Sequence, residues 1–396
     1  MREIPVGSRL GGHTRSSREA MSHFDAKRGH VHQRRPMPSI TKHPARPLRT
    51  RRRARAAAIA IATIAALPNG SLDAQSASSA SLGTCRLSSG ASLPACHVTY
   101  RTFGKLSPAR DNVVLIPTFF GGRAEDHQFM LGTYVDTTRH HVIIVDALAD
   151  GASSSPSNSP AGAAAFGALT IGDMVDVQHR LLTEVLGFRH VRAVVGISMG
   201  GFQTFEWAVR YPTFMDVAVP LFGTPRPTAY DRLIYDTWRS SAEALNRPGV
   251  DPDSAWMQAS RLETLFMNTA RLVVDSGDAY VTRSVRALAD GYRKGSWSLA
   301  DYSAQLRAIA SHDVAARFGG DMKRAASAVR ARMLVVWSAD DLLVDPRPAA
   351  AFARFVGADT LAVPSACGHS VFWCDAESIG RTVRAFIETA PSLATR

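Results

Sequence analysis

The chain has 396 residues, 45% of them hydrophobic, so it is long enough and apolar enough to bury a large core. Its net charge of +12 would favour a nucleic-acid or anionic-membrane partner if that charge were spread over the folded part. However, residues 1–75 hold 15 of the basic residues and four of the acidic ones, leaving 31 basic and 30 acidic residues elsewhere, so nucleic-acid binding is not expected.

The basic N-terminal region has the order of a signal peptide. Arg49–Arg55 (RTRRRAR) precedes the apolar run Ala56–Leu67, and the breaker sequence PNG follows. The run of twelve residues covers about 18 Å as a helix, short of the roughly 30 Å hydrocarbon core, so we expect no stable membrane span. We expect cleavage near Ala74 and export to the periplasm or the medium. The alternative is a disordered basic tail on a cytoplasmic protein.

Composition divides the chain into four segments. Residues 1–81 form the leader and a Ser/Ala-rich linker, Ser76–Ser81, and we expect folded structure to begin near Cys85. Residues 82–224 and 326–396 form the two parts of a core domain. Residues 225–325 separate them and form a polar, Arg-rich stretch of helical period, which we interpret as a helical lid.

Short apolar runs alternate with helical patterns along the core segments. The fold class is therefore α/β, with a mostly parallel central sheet flanked by helices and interrupted by the inserted lid. The predicted strands are His97–Phe103, Asn112–Ile116, His141–Asp146, Val191–Val195, Met215–Phe222 and Met333–Trp337, and the predicted helices are Ile171–Leu186 and one that ends at Arg210 before Pro212.

Four cysteines fall as two close pairs, Cys85 with Cys96 and Cys367 with Cys374. In an oxidising compartment we expect each pair to form a disulfide, and the second would stiffen the segment around His369. Buried free thiols are the alternative. A structural zinc is not expected, because neither pair has CxxC spacing.

Residues 191–201 read VRAVVGISMGG, in which Gly196, Ser198 and Gly200 form G-x-S-x-G between a strand and a helix. In that context the motif is typical of a nucleophile elbow, a sharp turn that exposes the serine hydroxyl above the sheet. The backbone N–H of Met199 would then point at a developing oxyanion. The second donor should come from the loop after NVVLI, where Phe119 or Phe120 supplies an N–H, and we choose Phe120.

The acid and base partners follow downstream. MLVVWSADDLLVDP places Asp340 and Asp341 at the carboxyl end of a late strand. By register with a G-x-x-D-x-x-V-P loop, Asp341 is the expected triad acid and Asp340 the alternative. His369 lies in CGHSVFW, so the order Ser198, Asp341, His369 is that of an α/β-hydrolase triad, in which the imidazole takes and returns the serine proton.

These residues resemble the homoserine O-acetyltransferase-like branch of the α/β-hydrolases. The likeness extends from Tyr100 to Phe386, through YRTFG, NVVLIPT, LTIGDMVDVQHRLLTEVLGF, GISMGGFQTFEWAVRYP and GHSVFW. It implies a hydrolase fold with a helical lid and a covalent acyl-serine intermediate. The family usually has Asp after the catalytic His, where this chain has Ser370, and a lid motif like RFDANSY that is not found here. Arg239 falls by spacing near the family's carboxylate-binding lid arginine; a solvated helix charge is the alternative.

Taken together, the motifs predict an exported serine-dependent enzyme that hydrolyses esters or related small acyl compounds. The alternative is an O-acyltransferase that uses acyl-CoA, although acetyl-CoA is a cytosolic metabolite; a third is a non-catalytic binding protein that kept the fold. We expect no metal and no tightly bound cofactor, because neither a ligand cluster nor a nucleotide motif is present. The sequence leaves a homodimer open.

Overall fold

The computed structural model describes residues 77–295 and 297–392, so the predicted signal peptide at Arg49–Leu67 lies outside the described residues. The strands are β1 (Ser78–Arg86), β2 (Ser92–Phe103), β3 (Val113–Pro117), β4 (His141–Val145), β5 (Val191–Ile197), β6 (Met215–Leu221), β7 (Arg332–Ser338) and β8 (Asp359–Val363). The helices are α1 (Gly162–Ala165), α2 (Ile171–Arg180), α3 (Met199–Arg210), α4 (Ala229–Leu245), α5 (Pro252–Met267), α6 (Ala270–Lys294), α7 (Leu299–Ala310), α8 (Met322–Ala328), α9 (Pro346–Val356), α10 (Val371–Cys374) and α11 (Ala376–Thr389).

The strands form one eight-stranded sheet in the order β1-β2-β4-β3-β5-β6-β7-β8. β2 pairs antiparallel with both β1 and β4, and every later neighbour pairs in parallel. The predicted α/β fold with a mostly parallel sheet is therefore confirmed. Because the parallel strands all end at the same edge, loops that are far apart in sequence meet there.

Both faces of the sheet are covered, which explains why its strands read as continuous apolar runs. In β3, Val113 and Leu115 pack into the core on one face, while Val114 and Ile116 pack into the core on the other. All four side chains are fully buried. A strand buried on both faces shows no polar alternation, so runs such as NVVLI identify the central strands directly from sequence.

The start of the fold differs from the prediction. β1 begins at Ser78, so the expected linker at Ser76–Ser81 and the expected folded start near Cys85 are wrong. The segment is rich in Ser, Ala and Gly, which have low strand propensity, but its pairing with β2 buries Ala80 and Leu82. Tertiary pairing therefore overrides the local composition.

Four helices, α4 to α7, occupy most of residues 225–325. They contact the carboxyl edge of the sheet through buried hydrogen bonds: Tyr235 Oη donates to the Leu343 carbonyl at 3.0 Å, and Gln305 Nε2 donates to the Leu148 carbonyl at 3.1 Å. The helices begin at side-chain caps, as Thr228 of α4 illustrates. The helical character of the region agrees with the predicted lid, whose boundaries stay a prediction.

No helix in residues 77–295 and 297–392 combines the length and hydropathy needed to span a membrane. Within the same residues, no three His, Cys, Asp or Glu side chains gather closely enough to hold a metal ion.

Candidate active site

Ser198 lies in the tight turn between β5 and α3, with φ 56° and ψ −121°. A positive φ is uncommon for a residue with a side chain, and such strained conformations cluster at functional turns. The flanking glycines are required by close contact: a Cβ on Gly196 would lie 2.1 Å from the Gly200 carbonyl oxygen, and one on Gly200 would lie 2.4 Å from the Pro117 carbonyl oxygen. The G-x-S-x-G spacing is thus explained by steric fit as well as by the exposure of the hydroxyl.

His369 joins the serine to a carboxylate. Its Nε2 lies 2.9 Å from Ser198 Oγ and its Nδ1 lies 2.7 Å from Asp341 Oδ2. The other carboxylate oxygen of Asp341 accepts hydrogen bonds from the Leu343 and Val344 N–H groups, each at 2.9 Å. Since Asp341 is held by backbone donors, it can orient the imidazole, which is 1% exposed.

Asp340, the alternative acid, lies elsewhere. Its side chain is exposed and accepts a hydrogen bond from the Ser365 N–H at 3.2 Å. The structure therefore brings together the three residues singled out from the sequence, Ser198, Asp341 and His369, and leaves Asp340 as a loop-stabilising carboxylate.

In the loop after β3, three of the four backbone N–H groups from Phe119 to Gly122 donate hydrogen bonds within the protein. Phe119 donates to His127 Nε2 at 2.9 Å, Gly121 donates to Gln305 Oε1 at 3.2 Å, and Gly122 donates to the Phe119 carbonyl at 3.1 Å. In the part of the chain that the structure describes, the Phe120 N–H has no hydrogen-bond partner. It is therefore the loop donor left available for an oxyanion, as the prediction of Phe120 requires.

The second predicted donor, the Met199 N–H, lies at the first residue of α3, where the N–H groups of a helix have no partner within the helix. A helix N-terminus also favours negative charge. Both features suit the stabilisation of an oxyanion next to Ser198.

His127 positions this loop, and sequence reasoning missed it. Its Nε2 accepts from Phe119, while its Nδ1 donates to the Arg123 carbonyl at 2.9 Å. This pair of bonds requires the neutral imidazole, and burial lowers the pKa of His127 to about 4. Its sequence context, AEDHQFM, contains no motif that would have distinguished it from other histidines.

Ser198 and His369 open into a cavity of about 200 Å³ between the sheet edge and the helices α4 to α7. Its walls are mainly aromatic and aliphatic, and Glu263 of α5 is the one carboxyl among the described residues that line it. Sequence reasoning missed Glu263 as well, because a single acid on a polar helix carries no signal of its final position. The aromatic residues around the cavity are Phe119, Phe120, Phe202, Tyr235, Trp238, Phe372 and Trp373.

Two positions named for substrate contact lie outside this lining. Arg239 Nη1 pairs with Glu243 Oε2 at 2.7 Å on the same helix, and its substrate-binding role stays a prediction. Ser370 Oγ donates at 3.4 Å to the Met267 carbonyl and lies 3.4 Å from Asn268 Oδ1, at the end of α5.

The structure contains both predicted disulfides. Cys85–Cys96 joins β1 to β2, and Cys367–Cys374 spans the short segment that contains His369. The described part of the chain has no free cysteine.

Comparison with known proteins gives a matching family model and relatives that include an ester hydrolase and an acyltransferase. A family model described as the alpha/beta hydrolase fold matches residues 111–376. Ethyl acetate hydrolase of Pseudomonas veronii is 29% identical over 276 residues, which are 64% of this chain and 78% of that protein. Homoserine O-acetyltransferase of Trichormus variabilis is 28% identical over 327 residues, which are 75% of this chain and 89% of that protein.

Solved structures agree on the fold. An acetylester hydrolase from Corynebacterium glutamicum superposes with a TM-score of 0.73 at 24% identity, over 81% of this chain and 100% of that one. Homoserine O-acetyltransferase from Bacillus anthracis superposes with a TM-score of 0.69 at 19% identity, over 80% of this chain and 98% of that one.

Proposed function

Because the chain belongs to the alpha/beta hydrolase fold family, we propose that it hydrolyses small esters through an acyl-serine intermediate. In this proposal Ser198 is the nucleophile, His369 the general base and acid, and Asp341 the group that orients the imidazole. The observation that carries it is the continuous hydrogen-bonded chain from Ser198 Oγ through His369 to Asp341, which faces an apolar cavity.

The chemistry follows from these positions. Ser198 Oγ attacks the ester carbonyl carbon while His369 Nε2 takes its proton, and the N–H groups of Met199 and Phe120 stabilise the oxyanion. Collapse of the tetrahedral intermediate breaks the bond to the alcohol oxygen, which receives the proton from His369. Water then attacks the acyl-serine, gives its proton to His369, and the carboxylic acid leaves as Ser198 recovers its proton.

The size of the cavity supports a small substrate. An engineered apolar cavity of about 150 Å³ in another protein binds benzene, so about 200 Å³ suits a short acyl group and a compact alcohol. The Pseudomonas veronii relative is an ethyl acetate hydrolase by name, which agrees with this size class.

Acyl transfer is the second candidate, and the similarity to homoserine O-acetyltransferase over 75% of the chain favours it. Transfer requires that an acceptor alcohol replace water in the second step. Against it, Arg239 is paired with Glu243 rather than placed in the cavity lining, and Ser370 stands where the family usually has Asp.

Export belongs to the same proposal. Two disulfides within the described residues support an oxidising compartment. An exported enzyme would seldom meet acetyl-CoA, whereas water is always present. N-terminal sequencing of the mature protein tests this point, and an intact Arg49–Leu67 segment would refute cleavage.

The central test uses a fluorophosphonate probe and p-nitrophenyl acetate on the wild-type protein and on Ser198→Ala. We expect labelling and hydrolysis by the wild type, and a loss of about 10⁴-fold or more in kcat for the variant. Absence of labelling, beside a control hydrolase that is labelled, contradicts both enzyme functions and leaves the non-catalytic binding protein. Thiol release from acetyl-CoA that depends on added homoserine would favour the transferase.

A further inference from the structure

Glu263 is an uncompensated acid within the cavity. It lies on α5, is 8% exposed, and borders the same space as Ser198 and His369. Among the described residues that line this cavity there is no Lys or Arg. A buried carboxylate normally has a cationic partner, so a group that enters from outside is the natural source of the missing positive charge.

The protein supplies a hydrogen bond to one of the two oxygens of the Glu263 carboxyl. Tyr292 Oη donates to Oε2 of Glu263, whereas Oε1 accepts no hydrogen bond from the described part of the chain. Burial raises the pKa of Glu263 to about 7, with the Tyr292 hydrogen bond and the nearby His369 acting in the opposite direction. The carboxyl is thus ready to ionise at neutral pH when a cation approaches.

Aromatic residues line the same spaces as the acid. Phe119, Phe120 and Trp373 border both the cavity and an adjoining hollow that Glu263 shares, and that hollow adds a second carboxylate, Asp126, again with no Lys or Arg in its lining among described residues. A carboxylate that shares a cavity with aromatic rings suits an ammonium group, since the rings attract cations through their negative faces.

The position of Glu263 indicates which part of the substrate it meets. The leaving alcohol receives its proton from His369, so the alcohol lies on the imidazole side of the cavity. The end of α5 packs against that same segment, where Ser370 Oγ donates to the Met267 carbonyl at 3.4 Å. Glu263 lies one helical turn before Met267 and close enough to His369 for the imidazole charge to lower its pKa, so it borders the imidazole side of the cavity, where the alcohol part leaves.

We propose that Glu263 binds an ammonium group carried by the alcohol part of the substrate, so that the preferred substrates are small esters of cationic amino alcohols. This inference rests on the proposed ester hydrolysis. It assigns to Glu263 a specificity role that is separate from the bond-breaking steps.

Acetylcholine and 3,3-dimethylbutyl acetate provide the test, because they have nearly the same shape and differ in the positive charge. We expect wild-type kcat/KM to be about tenfold higher for acetylcholine. Glu263→Gln should bring the ratio of kcat/KM for the two esters down to about one. The matched control, Asp253→Asn, removes the same charge from the exposed first turn of α5 and should keep the wild-type ratio.

A second measurement needs no variant. Choline should inhibit wild-type hydrolysis of p-nitrophenyl acetate at about tenfold lower concentration than 3,3-dimethylbutan-1-ol. Equal inhibition by the two alcohols, or a substrate ratio that Glu263→Gln leaves unchanged, overturns the inference. If p-nitrophenyl acetate is hydrolysed and Ser198 is labelled, such a result rejects the ammonium site alone; if neither occurs, ester hydrolysis itself is rejected.

Discussion

At the scale of single residues, His127 shows how a buried side chain prepares a site without entering it. Its two hydrogen bonds, from the Phe119 N–H and to the Arg123 carbonyl, direct one loop N–H away from the cavity and leave that of Phe120 available. Neither bond can be predicted from local sequence, because each depends on how the loop that contains Phe119 folds back onto the turn that contains His127.

Replacing His127 with Phe keeps an aromatic ring beside Phe119 and removes both hydrogen bonds. We expect kcat for p-nitrophenyl acetate to fall by about tenfold to 100-fold, somewhat less than the loss of a whole oxyanion donor, because Phe120 becomes poorly positioned. His141→Phe, at the opposite end of β4 from the site, serves as the control. A lower Tm with unchanged kcat would show that His127 contributes to stability alone.

The pKa of Glu263 makes a second prediction at this scale. Its raised value of about 7 means that the carboxyl is neutral below about pH 7 and charged above it. The ratio of kcat/KM for acetylcholine over 3,3-dimethylbutyl acetate should therefore rise between pH 6 and pH 8. The neighbours that titrate or carry charge are Tyr292, Tyr302, His369 and Asp126.

The two esters share the same proton-transfer steps at His369, so these steps contribute equally to both rates and cancel in the ratio, and burial raises the pKa of both tyrosines far above this range. In Glu263→Gln the ratio should not change with pH. A slope that persists in the variant would assign the pH effect to another group.

At the scale of elements, the Cys367–Cys374 disulfide encloses the short turn and helix that present His369. A loop of this kind has no sheet hydrogen bonds to hold it, so a covalent link restricts its alternative conformations. Cys85–Cys96 instead links two strands that are already paired, far along the sheet from the site.

The two bridges should therefore differ in their effect on activity. With sequence separations of 7 and 11 residues, loss of either bridge costs about 2–3 kcal/mol of unfolding free energy by loop entropy. The Cys367→Ser/Cys374→Ser protein should also lose about tenfold to 100-fold in kcat as His369 becomes mobile, because a misplacement of about 1 Å in a catalytic group costs up to about 100-fold. Cys85→Ser/Cys96→Ser should keep wild-type kcat; equal kcat losses in the two proteins would argue against this account.

At the scale of the whole molecule, two histidines, His312 and His190, link folding to pH. Burial lowers the pKa of His312, which is stacked on Phe202 of α3, from 6.5 to about 3. Below about pH 6.5 the unfolded chain binds a proton there that the folded chain does not, so this group destabilises the fold as pH falls. His190 acts in the opposite direction, because its hydrogen bond with Asp216 raises its pKa.

His312→Phe retains the stacking and removes the titration. The Tm of the variant minus that of the wild type should be a few degrees larger at pH 5 than at pH 7. For His190→Asn the same Tm difference should be smaller at pH 5 than at pH 7. The favourable charge of His190 in the wild type is present at low pH and is lost as pH rises. Two differences of the same sign in thermal melts would contradict this assignment.

The sequence predicts most of the sheet, because strands buried on both faces leave unbroken apolar runs such as NVVLI. It also predicts the elbow, because the turn at Ser198 needs small residues at two fixed positions within one strand-turn-helix unit. It fails for β1, where Ser, Ala and Gly become a strand only through pairing with β2.

From the sequence alone follow the fold class, the order of Ser198, Asp341 and His369, and the pairing of nearby cysteines, since each depends on local pattern or on the common edge of parallel strands. Tertiary structure alone decides that the Phe119 N–H, and not that of Phe120, donates to His127, and that Glu263 borders the cavity. Those properties come from contacts between segments far apart in the chain, such as Gly121 with Gln305 and Glu263 with Tyr292, and packing at that range leaves no periodic trace in sequence.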